Sequence, residues 1–132
     1  MTSPHVLSVG QCAFDHNRIS GYLERSFSAR VHGVSTFDEA REALRSESYD
    51  LVLVNRVNDE DGASGLELIR SVKAEPDLAV IPVMLVSDYP DAQEKARALG
   101  ALAGFGKSGL TSETTRVLIE SVLKAPSGTQ KP

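Results

Sequence analysis

The stretch of sequence that decides the predicted fold is Asp50-Leu51-Val52-Leu53-Val54-Asn55. Its four apolar residues, two of them β-branched, lie between a charged residue and a polar loop. This pattern is typical of a short strand that is buried on both faces of a parallel sheet. In open α/β sheets the working site lies just beyond the carboxyl ends of the strands. We therefore expect Asn55 to lie in a functional site, although its side chain is an amide.

Further apolar runs alternate with amphipathic segments along the chain. Strands are predicted at 5–9, 29–34, 51–55, 80–86 and 101–105. Helices are predicted from about 15 to 28, from a capping box at 36–39, from Leu66 to near Pro76, and over 91–99 and 112–124. Asp15 is the expected cap of the first helix, and Val117 is expected on the exposed side of the last one.

Strands that alternate with helices imply a parallel sheet covered on both faces. Right-handed crossovers then favour a flavodoxin-like (βα)5 doubly wound sheet with strand order 2-1-3-4-5. Residues 1–124 are predicted to form this one domain. Residues 125–132 have the composition of a linker and are predicted to be a disordered tail.

The bulk properties exclude several classes of function. The net charge of −4 argues against a nucleic-acid surface, which needs clustered basic residues. No apolar run is long enough for a membrane span and no signal peptide is visible, so a cytoplasmic location is expected. The single cysteine, Cys12, excludes an internal disulfide and is expected to be a small buried thiol. His5, His16 and His32 lack metal-like spacing.

Three sequence blocks carry a resemblance to a known family. They are Tyr-Asp-Leu-Val-Leu-Val-Asn at 49–55 with Gly-Leu-Glu-Leu-Ile at 65–69, Ile-Pro-Val-Met-Leu-Val-Ser at 81–87, and Ala-Arg-Ala-Leu-Gly-Ala at 96–101 leading to Lys107. In this order and spacing, over about residues 5–124, the chain resembles a response-regulator receiver (CheY-like) domain of two-component signalling.

The resemblance implies a set of site positions. In the family, two acidic residues after the first strand and an aspartate ending the third hold Mg²⁺, and the aspartate accepts a phosphoryl group. A hydroxyl ends the fourth strand and a lysine ends the fifth. The corresponding residues of this chain are Gly10, Gln11, Asn55, Ser87 and Lys107. The hydroxyl and the lysine are present, whereas all three carboxylates are absent.

The loss of the carboxylates predicts a pocket without receiver chemistry. Mg²⁺ requires charged oxygen ligands, and a carboxamide is too poor a nucleophile to form an acyl phosphate. We therefore expect no metal and no cofactor. Removing charges about 4 Å apart relieves roughly 4 kcal/mol of repulsion per pair at an effective dielectric constant near 20, so a stiffer pocket is expected.

Asp88 is a plausible new partner for Lys107; the alternative is that Lys107 points to solvent. Ser87 is expected to bond local backbone.

Two further departures concern the loops. The loop after Asn55 is about two residues longer than the family norm and carries an acidic cluster at 58–62. It is either a solvated turn or a displaced cation or partner site. Phe105 takes the position of the family's switch aromatic, but only Gly106 separates it from Lys107, so we expect no working aromatic switch.

The function predicted from these residues is that of a pseudo-receiver, a non-enzymatic protein-interaction module that acts without phosphorylation. The expected partner face, which could also support a homodimer, spans the predicted helix at 91–99, the fifth strand and the last helix. Its exposed residues are Gln93, Glu94, Arg97, Arg116, Val117 and Glu120.

One alternative function is that of a phosphoacceptor that uses Asp59, Asp61 or Asp88. Another, a flavodoxin-like cofactor binder, is disfavoured because residues 10–14 do not form a phosphate-binding loop.

Overall fold

The computed structural model describes residues 3–123, in which strands and helices alternate. The strands are β1 His5–Val9, β2 Arg30–Val34, β3 Leu51–Asn55, β4 Val83–Val86 and β5 Leu102–Phe105. The helices are α1 Ala13–Phe27, α2 Phe37–Ser46, α3 Gly65–Ala74, α4 Pro76–Ala79, α5 Pro90–Ala98 and α6 Glu113–Leu123. The tail expected at 125–132, and the expected end of the last helix at Lys124, lie outside the described residues.

The sheet confirms the predicted flavodoxin-like fold. Its strands are parallel and run in the order β2-β1-β3-β4-β5. β3 lies in the middle and is buried along its whole length. Because successive residues of a strand face opposite sides, Val52 and Val54 pack with α2, α3 and α5, whereas Leu51 and Leu53 pack with α1 and α6. Within the described residues, no helix is long and apolar enough to cross a membrane.

Local signals in the sequence explain several boundaries. The capping box predicted before α2 is present: Thr36 Oγ1 accepts from the backbone N–H of Glu39, and the Glu39 carboxylate accepts from the backbone N–H of Thr36. Two helix N–H groups that would otherwise lack partners are thereby satisfied. The β1, β3 and β5 strands end within one residue of Gly10, Asn55 and Gly106, so these positions meet at one edge of the sheet.

The fourth strand begins later than predicted. Residues 80–82 were expected to belong to it, but β4 begins at Val83 and Val80 is exposed. The extra turn α4 occupies the preceding residues, and the Lys73 ammonium donates to the carbonyl oxygens of Ala79 and Ile81. Burial lowers the pKa of Lys73. An apolar run of seven residues therefore contains only four strand residues, because the α4 turn and the Lys73 ammonium hold the backbone at its start.

Candidate functional site

An open cavity of about 540 Å³ lies at the carboxyl ends of β3, β4 and β5. It brings together four of the predicted site residues, Asn55, Ser87, Asp88 and Lys107, and adds Asp59 from the long loop. Gly10 lies beside it, since its carbonyl oxygen bonds both Asn55 and the loop. The cavity thus lies at the edge of the sheet where the sequence predicts the site.

The Asn55 amide is held by two backbone carbonyl groups. Its Nδ2 donates to the oxygen of Gly10 at 2.9 Å and to the oxygen of Val57 at 2.7 Å. The side chain is only 8% exposed, so water has little access to these bonds. Because both partners are acceptors, the group at this position must be a donor, which an amide is and a carboxylate is not. The amide joins the end of β1 to the loop after β3.

A second amide, that of Asn58, fills the space beside Gly10. Gly10 has a φ of +77°, and a Cβ placed on it would lie 2.3 Å from Asn58 Oδ1. Asn58 is only 1% exposed, and the next residue, Asp59, donates its backbone N–H to the Gly10 oxygen at 2.9 Å. The position of the first acidic residue of a receiver is therefore closed to any side chain. The amide of the neighbouring Gln11 is buried without a hydrogen-bond partner.

The acidic cluster at 58–62 forms a turn. Gly62 donates its N–H to the Asn58 carbonyl oxygen at 2.8 Å. The Asp61 carboxylate accepts from the Ala63 N–H and from Asn58 Nδ2, and these bonds lower the pKa of Asp61. Asp61 is thus engaged within the turn, whereas Asp59 faces the cavity.

The partner of Lys107 is Asp15, so neither of the two alternatives, pairing with Asp88 or pointing to solvent, is correct. Lys107 Nζ lies 2.9 Å from Asp15 Oδ2, and this bond is the main cause that lowers the pKa of Asp15. Asp15 was expected to cap α1, but the helix begins at Ala13 and Asp15 lies in its first turn. There it also accepts from the Cys12 thiol at 3.4 Å, and Cys12 is only partly buried. The sequence signal for this pair was that Asp15 follows the end of β1 by only six residues, which places its carboxylate near the carboxyl ends of the strands.

Asp88 and Ser87 make local contacts. Ser108 donates its hydroxyl to Asp88 Oδ1 at 2.7 Å, which ties the loop after β4 to the turn after β5. Ser87 Oγ accepts from the backbone N–H of Tyr89 at 3.1 Å, as expected for a hydroxyl that bonds local backbone. Neither residue contacts Lys107 through a salt bridge or hydrogen bond in the described part of the chain.

Phe105 does not occupy a switch position. It is buried with Ile19, Tyr22 and Ile119 in the core layer beneath α1 and α6. The preceding residue, Gly104, faces the other side, because the register of β5 against β4 shifts between the pairs Met84–Leu102 and Val86–Phe105. Counting back from Lys107 by the family spacing, the position of the aromatic is Gly104, which carries no side chain.

Gln93 was predicted to belong to the exposed partner face, but its side chain is bonded to the sheet. Its Nε2 donates to the carbonyl oxygens of Leu85 and Ser87, and its Oε1 accepts from the N–H of Gly104. It therefore bridges β4 and β5 and is not free to contact a partner. A Cβ on Gly104 would lie 2.2 Å from the Leu85 oxygen, so the strand approaches too closely there for a side chain.

The remaining residues of the predicted face are exposed. They are Glu94, Arg97, Arg116, Val117 and Glu120. Val117 is 51% exposed as expected, and Leu102 on β5, which sequence reasoning missed, is 42% exposed. Arg116 is paired along its own helix with Glu113 at 2.5 Å and Glu120 at 2.6 Å. The face is thus mixed, with apolar side chains among charges that are largely balanced.

The residues at this site do not fit the Mg²⁺ of receiver chemistry. That cation needs oxygen ligands, including carboxylates, in near-octahedral geometry. Asn55 presents its nitrogen to the two nearest carbonyl oxygens, and Gly10 presents no side chain. Among residues 3–123, no group of three or more His, Cys, Asp or Glu side chains is placed to hold a metal ion. The phosphoacceptor position therefore offers an amide hydrogen-bond donor and not the carboxylate oxygen that Mg²⁺ requires.

Solved structures with the same fold are numerous. The signal receiver domain of a DNA-binding response regulator (merR) from Colwellia psychrerythraea 34H is 24% identical, with a TM-score of 0.72 over 89% of this chain and 98% of that one. The phosphorylated cyanobacterial phytochrome response regulator RcpA is 23% identical, with a TM-score of 0.75 over 94% and 96%. The chemotaxis response regulator CheY4 of Vibrio cholerae is 20% identical, with a TM-score of 0.68 over 89% and 100%.

This chain has the receiver fold. The sequence matches no protein-family model and no curated protein. At identities below one quarter, structural likeness speaks for the receiver fold and not for its chemistry. The chemistry has to be argued from the residues of the pocket.

Proposed function

We propose that this chain is a pseudo-receiver, a receiver-fold module that binds a signalling protein in the cytoplasm without being phosphorylated. The observation that carries the proposal is the pair of hydrogen bonds from Asn55 Nδ2 to the Gly10 and Val57 carbonyl oxygens. A phosphoacceptor needs a nucleophilic carboxylate at this position, and the surrounding groups instead require a donor. The module is proposed to act by binding and not as an enzyme.

The interactions around Lys107 support the same proposal. In a receiver this ammonium group contacts the phosphoryl group, whereas here it is paired with Asp15 in α1. An incoming phosphate would therefore have to compete with the Asp15 carboxylate, 2.9 Å from Lys107 Nζ, for the ammonium group. The pocket is therefore proposed to stay in one arrangement.

The proposed partner surface is the face formed by α5, β5 and α6. Val117 and Leu102 supply its apolar contacts, and Glu94, Arg97 and Glu120 its charged ones. The partner is proposed to be a protein, with no role for nucleic acid or membrane. A homodimer through this face is the simplest case, and sedimentation of the protein and of Val117→Asp would test it: a dimer that Val117→Asp converts to a monomer supports it.

One alternative has a specific observation in its favour. Asp59 and Asp88 line the same cavity as Ser87 and Lys107, so either carboxylate could accept a phosphoryl group. Asp61, the third acidic residue considered, does not line the cavity and is bonded within its turn. In this reading the chain would be a phosphoacceptor in a two-component relay.

Incubation with acetyl phosphate and Mg²⁺, followed by intact-mass measurement, decides between the two. The proposed function predicts no added phosphoryl group, and it predicts no saturable amide shifts at Asn55, Ser87 and Lys107 when beryllofluoride, a mimic of aspartyl phosphate, is added. The matched variants are Asp59→Asn and Asp88→Asn. A phosphoryl adduct that one of these variants abolishes would establish the alternative.

A further inference from the structure

A groove next to the degenerate pocket carries an inference about the partner. Its volume is about 310 Å³, and it shares Arg56, Val57, Gly62 and Tyr89 with the larger cavity. One wall is the loop after β3, and the other is formed by Tyr89 and by α5 as far as Lys95. The groove lies at the edge of the sheet and shares α5 with the face formed by α5, β5 and α6, but none of the exposed residues named for that face lines the groove.

The groove exposes apolar side chains that belong to the site's own loops. Val57 is 41% exposed and Tyr89 is 58% exposed, whereas Leu66 and Ala92 form a more buried floor. Two of the six exposed large apolar side chains of the described residues thus lie in one concave surface. Exposed aromatic groups within a concave site are typical of the anchoring points of protein interfaces.

The charge of the groove is positive, in a chain whose net charge is −4. Arg56 and Lys95 line it, and neither forms a salt bridge within residues 3–123. Asp91 is the one carboxylate among the lining residues. The Arg56 guanidinium carbon lies over the Tyr89 ring, 4.7 Å from its centre, a cation–π contact that leaves the N–H groups able to donate to a ligand.

The wall formed by the loop after β3 is held in place by Asn55, the amide at the phosphoacceptor position. Asn55 Nδ2 fixes the Val57 carbonyl oxygen, and the Arg56 carbonyl oxygen accepts from the N–H of Gly65 at 2.7 Å. Val57 also forms an antiparallel bridge with Ser64, which closes the loop on itself. A preformed groove loses little conformational entropy when it is filled, which favours binding.

We propose that this groove binds an extended acidic segment of a partner protein, with an apolar side chain against Val57 and Tyr89 and carboxylates on Arg56 and Lys95. The inference rests on the proposed function, since it assigns a partner class to a module that signals by binding. Asn55 then acts as a positioning residue for the groove. Carboxylates match the two unpaired cations, and a bidentate carboxylate suits the free edge of a guanidinium.

The test is an amide NMR titration with a blocked hexapeptide, Glu-Glu-Leu-Leu-Glu-Glu. We expect saturable shifts centred on Val57, Tyr89 and Lys95. The variants Tyr89→Ala and Lys95→Glu should each weaken binding about tenfold or more, the change typical of an interface anchor. The control Val80→Asp, at an exposed residue outside both the groove and the face formed by α5, β5 and α6, should leave the affinity unchanged. Tyr89, Lys95 and Val80 are all exposed, so their variants are expected to fold.

Three results would overturn the inference. They are the absence of saturable shifts, shifts centred on Val117 and Arg97, and equal binding of a peptide in which lysines replace the glutamates. The outcome is independent of the phosphorylation measurement. A phosphoryl adduct would overturn the proposed function but leave the peptide titration readable, whereas a failed titration would leave the acetyl phosphate result standing.

Discussion

Asn55 differs from the aspartate of a receiver by one group, an NH2 in place of an oxygen, and that group makes both of its hydrogen bonds. A carboxylate in the same rotamer would place an oxygen against two carbonyl oxygens in a buried site. The carboxylate oxygen and the carbonyl oxygens are all hydrogen-bond acceptors, so they would repel one another. Water has little access to separate them. The nitrogen that distinguishes Asn55 from an aspartate is therefore the atom that makes both contacts.

The first prediction concerns Asn55→Asp. Loss of both donors in a buried position should lower the free energy of unfolding by about 1–3 kcal/mol. The loss should shrink at low pH, because a protonated carboxyl group can again donate. Urea unfolding at neutral and acidic pH measures both effects. Asn17→Asp, the same change at an exposed position of α1, is the matched control and should be nearly neutral. An Asn55→Asp variant as stable as the unchanged protein would contradict this account.

Gly10 gives a second prediction, which separates backbone strain from steric overlap. Gly10 and Gly62 have similar positive φ values, +77° and +73°, but a Cβ on Gly62 meets nothing within 4 Å. Gly62→Ala should therefore cost only the strain of about 1 kcal/mol, whereas Gly10→Ala adds a clash with Asn58 and should cost clearly more. Urea unfolding of both variants, and of Gly10→Ala with Asn58→Ala, measures this. Equal costs for the two single variants would show that Asn58 does not close the site.

At the scale of elements, the Asp15–Lys107 salt bridge ties α1 to the turn after β5. The Lys107 ammonium is the main cause that lowers the pKa of Asp15 below its ordinary value of 3.8. A carboxyl group whose pKa is lowered on folding contributes stability at pH values above its unfolded pKa. That contribution is lost as the pH falls through the folded pKa, so the effect lies in the acidic range below about pH 4.

The third prediction follows from that sign. Lys107→Met should raise the pKa of Asp15, and the stability of the variant should fall less between neutral and acidic pH than that of the unchanged protein. Carboxyl carbon NMR during a pH titration reports the pKa directly. Lys95→Met removes a cation that does not contact Asp15 and should leave its titration unchanged. An unchanged Asp15 titration in Lys107→Met would show that the salt bridge is not formed in solution.

Periodicity along the chain predicted the elements, but it could not predict how side chains reach between them. The apolar run before Asn55 and the capping box at Thr36 are local signals, and both predicted the structure. The partner of Lys107 was missed because Asp15 lies 92 positions away along the chain and comes close only when α1 docks. Phe105 was misassigned because a register shift in β5, which no local pattern encodes, decides which side it faces.

At the scale of the whole molecule, the pocket is closed by contacts from three parts of the chain. The end of β1 supplies the Gly10 oxygen, the end of β3 supplies Asn55, and the loop supplies Asn58 and the N–H of Asp59. In a receiver with three carboxylates, a cation offsets the repulsion among them. Here neutral amides make the same junction, so the fold should be fully stable without an ion.

The last prediction is that Mg²⁺ does not stabilise this protein. A ligand that binds only the folded state raises the free energy of unfolding, by about 2.7 kcal/mol at a concentration one hundred times its Kd. Because the pocket offers amide donors where a cation needs oxygen ligands, we expect identical unfolding curves in magnesium chloride and in sodium chloride of equal ionic strength. Equal ionic strength matters, since salt alone screens the surface charges. A saturable rise in stability that Asp59→Asn or Asp88→Asn removes would mean that the cavity carboxylates have rebuilt a metal site, and the amide junction would then be one of two states of the pocket.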